Sequence, residues 1–357
     1  MAFFDHPDFD GHEQVVLGHD RASGLRAIIA IHDTRRGPAL GGCRTFAYAD
    51  DTAALRDVLR LSRSMTYKAA MAEVPYGGGK AVIIADPRRD KHAGLFRALG
   101  RMIDGLGGRY ITAEDAGTTV DDLQDVARET PCVVGVRRRP DIDGNMGTGD
   151  PSPATAYGVL IGIRAAVAHH LGADTLTGLR VAVQGLGNVG WKLAARLHAA
   201  GAQLWVADTD GERAREAERA FGATAVAPDR IVDVAADVFA PCALGSVIDD
   251  VTVDRLKAAV VAGSANNQLD RPEHAEQLRQ VGIAYAPDYV INAGGLIDVS
   301  YERDALDDPQ RVRTHIERIG PTLTQIFRQA DREGVPTDRV AARMAEERLE
   351  QRPSRVA

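Results

Sequence analysis

The stretch VAVQGLGNVG, residues 181–190, decides how the second half of this 357-residue chain folds. An apolar run of strand character, residues 180–184, meets Gly185, Gly187 and Gly190 in the spacing G-x-G-x-x-G, and a helical pattern follows. The first glycine permits a tight turn. The second lets the backbone approach a pyrophosphate, and the third allows close packing of helix on strand. Backbone N–H groups along Leu186, Asn188 and Val189 then face the anion from the positive end of the helix. Three glycines could also make nothing more than a strand–helix turn. The added weight comes from the next strand-like run, residues 203–207, which ends at Asp208, about twenty residues beyond the turn. A carboxylate there accepts hydrogen bonds from adenosine ribose hydroxyls and repels a 2′-phosphate, so NAD is favoured over NADP. Asp210 competes for the same role.

Outward from this motif, strand and helix patterns alternate. Strands are expected at 180–184, 203–207, 238–240, 259–262 and 283–286, the pattern of a parallel sheet with crossover helices. Upstream the pattern is mixed. Residues 13–17 and 25–31 read as a hairpin, and GPALGG (37–42) as a turn. A helix is expected over 52–67, where Leu55, Val58, Leu59, Ser62 and Met65 fall at helical spacing. The triplet GGG (77–79) reads as a tight turn before Lys80 and a strand at 81–85. A helix at 94–106 and a strand at 110–113 follow. The basic run Arg137–Arg139 opens a Gly-, Asp- and Pro-rich linker to residue 151, and a helix is expected over 152–170. The fold class is therefore α/β with two domains: residues 1–140 as a mixed α/β domain and 141–324 as a Rossmann-type, doubly wound domain. The charged C-terminal helices, 325–357, are expected to pack back on the first domain, with residues 352–357 frayed.

Composition narrows the function classes. A net charge of -7 argues against a nucleic-acid or membrane-surface partner, whose footprint is basic. No apolar run reaches membrane-spanning length, and residues 1–11 are acidic with no hydrophobic segment, so no secretory signal is expected. Cys43, Cys132 and Cys242 are distant and odd in number, which suggests neither a disulfide framework nor a metal site and fits a reducing cytoplasm. No metal is expected elsewhere, and His169 and His170, at a helix end, read as surface residues.

Two lysines stand out, Lys68 closing MTYK and Lys80 closing YGGGK. Most lysines are solvated and inert. Lys80, however, follows three glycines and opens an apolar strand, where a charge is unwelcome. Burial and a neighbouring cation both favour the neutral amine, which can act as a general base. In TAEDAGTT (112–119), Glu114 and Asp115 end a strand, so one of them can face a cavity; a helix N-cap is the plain alternative.

These residues fall into blocks that resemble the Glu/Leu/Phe/Val dehydrogenase family, most nearly its leucine-type branch. The blocks are GPALGGCR (37–44), MTYKAA (65–70), GGGKAVI (77–83), YITAEDAGT (110–118), QGLGNVG (184–190), APCALG (240–245), GSANNQL (263–269) and APDYVINAGG (286–295). The resemblance implies oxidative deamination of an amino-acid substrate by a homo-oligomer, with substrate on the first domain and NAD on the second. It implies that Lys68 binds the substrate α-carboxylate, Lys80 activates water, and Asp115 exchanges a proton with the amine. It places Asn266, Asn267 and Asn292 at nicotinamide ribose or substrate, and Thr155 near the carboxamide. Leu40 stands where glutamate-specific relatives carry lysine. With Gly41, Gly42, Ala113 and Ile291 it implies an apolar pocket for leucine, valine or isoleucine, although Leu40 could be plain packing. Many leucine-type relatives have alanine at the third glycine, and Gly190 is expected to be equivalent. Valine or phenylalanine dehydrogenases share the motifs. A non-catalytic NAD sensor would be expected to lack Lys68, Lys80 or Asp115, and all three are present.

Overall fold

The computed structural model describes residues 3–304, 306 and 308–351, so the expected frayed tail at 352–357 and the first two residues lie outside the described residues. The chain divides into two compact units. Residues 1–151, 298–309 and 345–357 form the first, and residues 152–297 and 310–344 the second.

The first unit opens with β1 (Gln14–Asp20) and β2 (Leu25–Asp33), an antiparallel hairpin. Then come β3 (Ala39–Phe46), α1 (Asp51–Met71), β4 (Gly77–Ile84), α2 (Ala93–Asp104), β5 (Tyr110–Glu114) and α3 (Val120–Ala127). The sheet order is β1-β2-β4-β3-β5, antiparallel on the hairpin side and parallel where β4, β3 and β5 pair. Two expected turns prove to be strands: most of GPALGG lies in β3, and GGG opens β4. Their glycines serve close approach rather than reversal. A Cβ on Gly78 would overlap the backbone nitrogen of Thr66 in α1. One on Gly41 would overlap the carbonyl of Gly79 and sit 3.3 Å from Met65 Cγ. Helix α1 thus rests almost directly on strand backbone. Asp50 caps it, accepting the Ala53 N–H at 2.8 Å. Its Ala54, Val58 and Leu59 close over Ile28, Ala30 and Val82 in a core cluster.

The second unit contains α4 (Ser152–His170), β6 (Arg180–Gln184), α5 (Asn188–Ala199), β7 (Gln203–Ala207), α6 (Gly211–Phe221), β8 (Thr224–Ala225), β9 (Val238–Pro241), α7 (Asp250–Arg255), β10 (Val260–Val261), α8 (Glu273–Gln280), β11 (Ala284–Tyr285) and α9 (Asp288–Ile291). The chain ends in α10 (Gly294–Arg303), α11 (Pro309–Glu317), α12 (Ile319–Glu333) and α13 (Thr337–Glu350). Six parallel strands run in the order β11-β10-β9-β6-β7-β8. The winding reverses between β6 and β9, the doubly wound arrangement whose switch point opens at the carboxyl ends of these strands.

The C-terminal helices divide differently from the expectation. Residues 310–344, including α12, belong to the second unit. Gly158 and Gly162 on α4 explain this, because a Cβ at either would lie 2.9 Å from Ile319 or Leu323 of α12. His169, expected at the surface, stacks on Phe327 at 5.2 Å and reaches Asp331 at 2.8 Å. Residues 298–309 instead belong to the first unit. There Glu302 Oε1 accepts the N–H groups of Gly135, Val136 and Arg137 at 3.0, 3.2 and 3.2 Å, and Arg139 meets Asp298 at 2.7 Å. Past residue 344 the chain is also held to the first unit, by Tyr67–Glu346 and by Arg348 donating to Met71 O at 2.7 Å.

The start of the chain is pinned to α1 by a buried histidine. His12 Nε2 lies 3.1 Å from Leu59 O and 3.0 Å from Ser62 Oγ, with the His32 ring 4.7 Å away. Burial first, and His32 second, push His12 down to about 4. The unfolded chain takes up this proton near pH 6.5 and the folded chain resists it. The resulting stability is complete above pH 6.5 and is lost as pH falls toward 4, by on the order of 2–3 kcal/mol. Urea midpoints measured from pH 7 to 4.5 should fall more steeply for the wild-type chain than for His12→Gln. Equal acid sensitivity would refute this.

Candidate active site

Lys80 lies on β4 two residues beyond Gly78, so the pleat turns it to the face covered by α1. It is only 3% exposed, and a charge that deep requires a partner. Asp115 Oδ2 lies 3.0 Å from its Nζ. Arg44 of β3 donates through Nε to the same oxygen at 2.9 Å and through Nη1 to Asp57 of α1 at 2.9 Å. The Tyr48 hydroxyl donates to Asp57 at 2.6 Å.

Asp115 follows β5 in a short turn folded against β3. Thr45 N–H donates to Ala116 O at 3.0 Å and Thr118 N–H to Asp115 O at 2.9 Å. Gly117, at φ 76°, makes the reversal. Neither Glu114 nor Asp115 caps the following helix. Thr119 does so, in a capping box with Asp122, which leaves the Asp115 side chain to the cations. Burial alone would raise the Asp115 carboxyl, but Lys80 and then Arg44 overcome it and hold it well below the usual range. Burial pushes the neighbouring Cys43 thiol up to about 12.

Leu40 is fully buried and pairs with Gly78, so it faces α1 as Lys80 does. Lys68, in the last turn of α1, is 7% exposed. Gly42 pairs with the buried Ala113. A Cβ on Gly42 would lie 2.8 Å from Asp115 Cβ and 2.6 Å from Glu114 O, so the bare backbone makes the space that Asp115 fills. The structure thus joins Lys80 to Asp115 directly and sets Leu40, Gly41, Gly42, Ala113 and Lys68 on the strands and helix around them. Arg44, Asp57 and Tyr48 were not singled out from sequence. Their signals are an arginine inside a buried strand and an aspartate beside the apolar stripe of α1.

In the second unit, the fingerprint turn lies between β6 and α5. Gly185 takes φ 94°, and a Cβ there would stand 2.9 Å from Ala243 N, just past β9. A Cβ on Gly190 would overlap the carbonyl of Gly185. Alanine is therefore not equivalent here without a backbone shift, contrary to expectation. Gly187 has open space where its Cβ would stand and begins α5 with no side-chain cap. Uncapped N–H groups beside that space fit a pyrophosphate. Asn188 and Val189 form the first turn of α5. Asp208 accepts Leu186 N–H at 2.6 Å and Asp210 N–H at 2.8 Å, which sets its carboxylate beside the turn. Asp210, the competitor, instead caps α6 through Glu212 N–H at 3.0 Å. Asn292 Nδ2 donates to Asn266 Oδ1 at 2.9 Å and to Ser264 O at 3.1 Å, in the segment after β10. Asn267 adopts φ 49°, and its carbonyl accepts Ser246 N–H at 2.7 Å. Thr155 stands in the first turn of α4 against Gly294. Ile291 is fully buried, with its side chain against Gly162 of α4. Among the described residues no cluster of three or more His, Cys, Asp or Glu could hold a metal ion, and no helix is long and apolar enough to cross a membrane.

Two family models match the chain. Residues 12–131 match the Glu/Leu/Phe/Val dehydrogenase dimerisation domain. Residues 147–217 and 206–349 match the glutamate/leucine/phenylalanine/valine dehydrogenase model. The chain is 51% identical over 350 residues to a leucine dehydrogenase of Thermoactinomyces intermedius, across 98% of this chain and 94% of that one. It is 47% identical to a phenylalanine dehydrogenase of Bacillus thermotolerans, across 96% and 90%. The crystal structure of L-tryptophan dehydrogenase from Nostoc punctiforme superposes with a TM-score of 0.75 at 46% identity, covering 95% of this chain and 96% of that one.

The packing of Gly42 against Asp115 gives a direct test. Gly42→Ala forces Asp115 off Lys80 and should lower turnover by roughly 100-fold. Steady-state kinetics together with a crystal structure of the variant would check it; an unmoved Asp115 with full turnover contradicts the expectation.

Proposed function

Because this chain belongs to the glutamate/leucine/phenylalanine/valine dehydrogenase family and is an amino-acid dehydrogenase, we propose NAD-dependent oxidative deamination of a branched-chain aliphatic L-amino acid, leucine preferred. The products are the 2-oxo acid, ammonia and NADH. The observation that carries this reading is the buried Lys80, on a sheet face that also bears Leu40, paired to Asp115 at 3.0 Å.

In this reading Lys68 holds the substrate α-carboxylate as a buried point charge. Leu40, with Gly41, Gly42 and Ala113, presents apolar surface to the side chain, which disfavours a second carboxylate. NAD held by the second unit would supply the acceptor for the hydride of the substrate Cα. Lys80, in its neutral amine form, takes the proton of the water that adds to the imine carbon. Asp115, already ionised, accepts and returns the proton of the substrate nitrogen. The shared hydrogen bond lets Lys80 and Asp115 exchange that proton without an intervening water. Burial excludes solvent from both groups and strengthens their fields.

The second unit is proposed to bind the dinucleotide. Gly185, Leu186, Gly187, Asn188, Val189 and Gly190 would cradle the pyrophosphate. Asp208, whose oxygens already face the turn, would take the adenosine ribose and select NAD over NADP. The linked Asn266 and Asn292, with Asn267 and Thr155, would contact the nicotinamide ribose or substrate. The first unit, matched by a dimerisation domain, would hold the substrate and build a homo-oligomer. Free thiols at Cys43, Cys132 and Cys242 fit the cytoplasm.

Aromatic substrates are the second reading, favoured by the phenylalanine and tryptophan dehydrogenases among the relatives. One methylene in an apolar pocket changes discrimination by only about 1–3 kcal/mol, so small packing differences decide. Initial rates of NADH formation with leucine, valine, isoleucine, phenylalanine, tryptophan and glutamate should rank leucine first and glutamate last. A preference for phenylalanine or tryptophan would transfer the assignment to the aromatic branch. Lys80→Ala should keep dinucleotide binding while turnover falls by roughly 10²–10⁴-fold. Undiminished turnover would remove Lys80 from the mechanism.

A further inference from the structure

We propose that Arg44 is a positioning residue, holding the Asp115 carboxylate ionised and in one orientation against Lys80. The proposal rests on the reading of Asp115 as the group that exchanges the amine proton. Lys80 Nζ and Arg44 Nε approach Asp115 from different strands, yet both meet Oδ2, at 3.0 and 2.9 Å. With both cations on one oxygen, Oδ1 is the atom presented to a reacting amine.

Arg44 is itself fixed. Its Nη1 meets Asp57 Oδ2 on α1 at 2.9 Å, and the Tyr48 hydroxyl donates to the same oxygen at 2.6 Å. A guanidinium spans two carboxylates with a rigid angle between Nε and Nη1, which an ammonium on a flexible stem cannot do. Arg44 therefore ties the turn after β5 to the helix that carries Lys68. Burial opposes its charge, but Asp115 and Asp57 keep it protonated. The other ionisable neighbours do not substitute for it. Cys43 and Tyr110 are kept neutral by burial, Asp122 on α3 is paired with Lys91, and Lys68 stands on α1.

The test compares Arg44→Met, Arg44→Lys and Asp57→Asn by pH profiles of kcat and kcat/KM, with NADH binding by fluorescence as a control on the second unit. Arg44→Met removes a cation at contact distance. It should lower kcat at least tenfold and move the acid limb to higher pH by on the order of one unit. Arg44→Lys keeps the charge without the fork, so kcat should recover in part with the limb near its wild-type place. Asp57→Asn should lower kcat with no upward displacement, because a carboxyl does not rise when a negative neighbour is lost. Packing damage alone lowers kcat without moving a titration. An Arg44→Met enzyme with an unmoved acid limb, or with wild-type kcat, therefore overturns the proposal. Should that variant not fold, Arg44→Gln takes its place under the same criterion: an acid limb moved to higher pH supports the proposal, and an unmoved limb or wild-type kcat overturns it. Asp115→Asn separates the two levels. Wild-type turnover there removes Asp115 from the chemistry, whereas an inactive Asp115→Asn beside an unmoved Arg44→Met profile removes Arg44 alone.

Discussion

Two cations meeting on one carboxylate oxygen is the interaction around which the first unit is organised. Lys80 could not sit beneath α1 by itself, because an unpaired charge withdrawn from water is strongly destabilising, and Asp115, Arg44 and Asp57 join it in a chain of ion pairs. Together they balance, two positive against two negative, and each carboxylate takes a hydrogen bond from the Arg44 guanidinium. A buried ionic set adds little net stability over apolar packing of the same volume. Under the proposed function its presence is explained by what it holds ready: a poised carboxylate and a lysine able to trade a proton.

The set exists because the surrounding backbone is bare. Glycine at 41, 42 and 78 lets α1, β3, β4 and the turn after β5 approach more closely than any side chain permits. In the second unit the same residue type does three different things within six positions. Gly185 adopts a left-handed backbone, Gly187 leaves a vacancy, and Gly190 allows α5 to press on the turn.

These differences explain what could be read from the chain and what could not. The doubly wound sheet was legible, because β6 and β7 are uninterrupted apolar runs bounded by a glycine fingerprint and an aspartate. The glycine-rich segments 37–42 and 77–79 look like turns to any local rule. They are strands because a helix lies against them, a fact about tertiary contact that composition does not carry. The return of the C-terminal helices was misplaced for a similar reason. Amphipathic spacing shows that α12 buries a face, but only Gly158 and Gly162 on α4 say where. Lys80 is legible as a charge opening an apolar strand, and Glu114 and Asp115 as two acids at a strand end of which one can face inward. Arg44 was passed over because a single arginine in a strand has no spacing signature.

The burial of Cys43 reaches beyond catalysis. Cys43 pairs with Ala81, one residue past Lys80, so its sulfur lies in the core on the other face of the sheet, where burial pushes its thiol up to about 12. Peroxides and alkylating reagents attack thiolates, and at physiological pH this one is essentially never formed and is shielded from access as well. A sulfur atom can thus stand one strand position from Arg44 without becoming the point at which oxidation disables the protein.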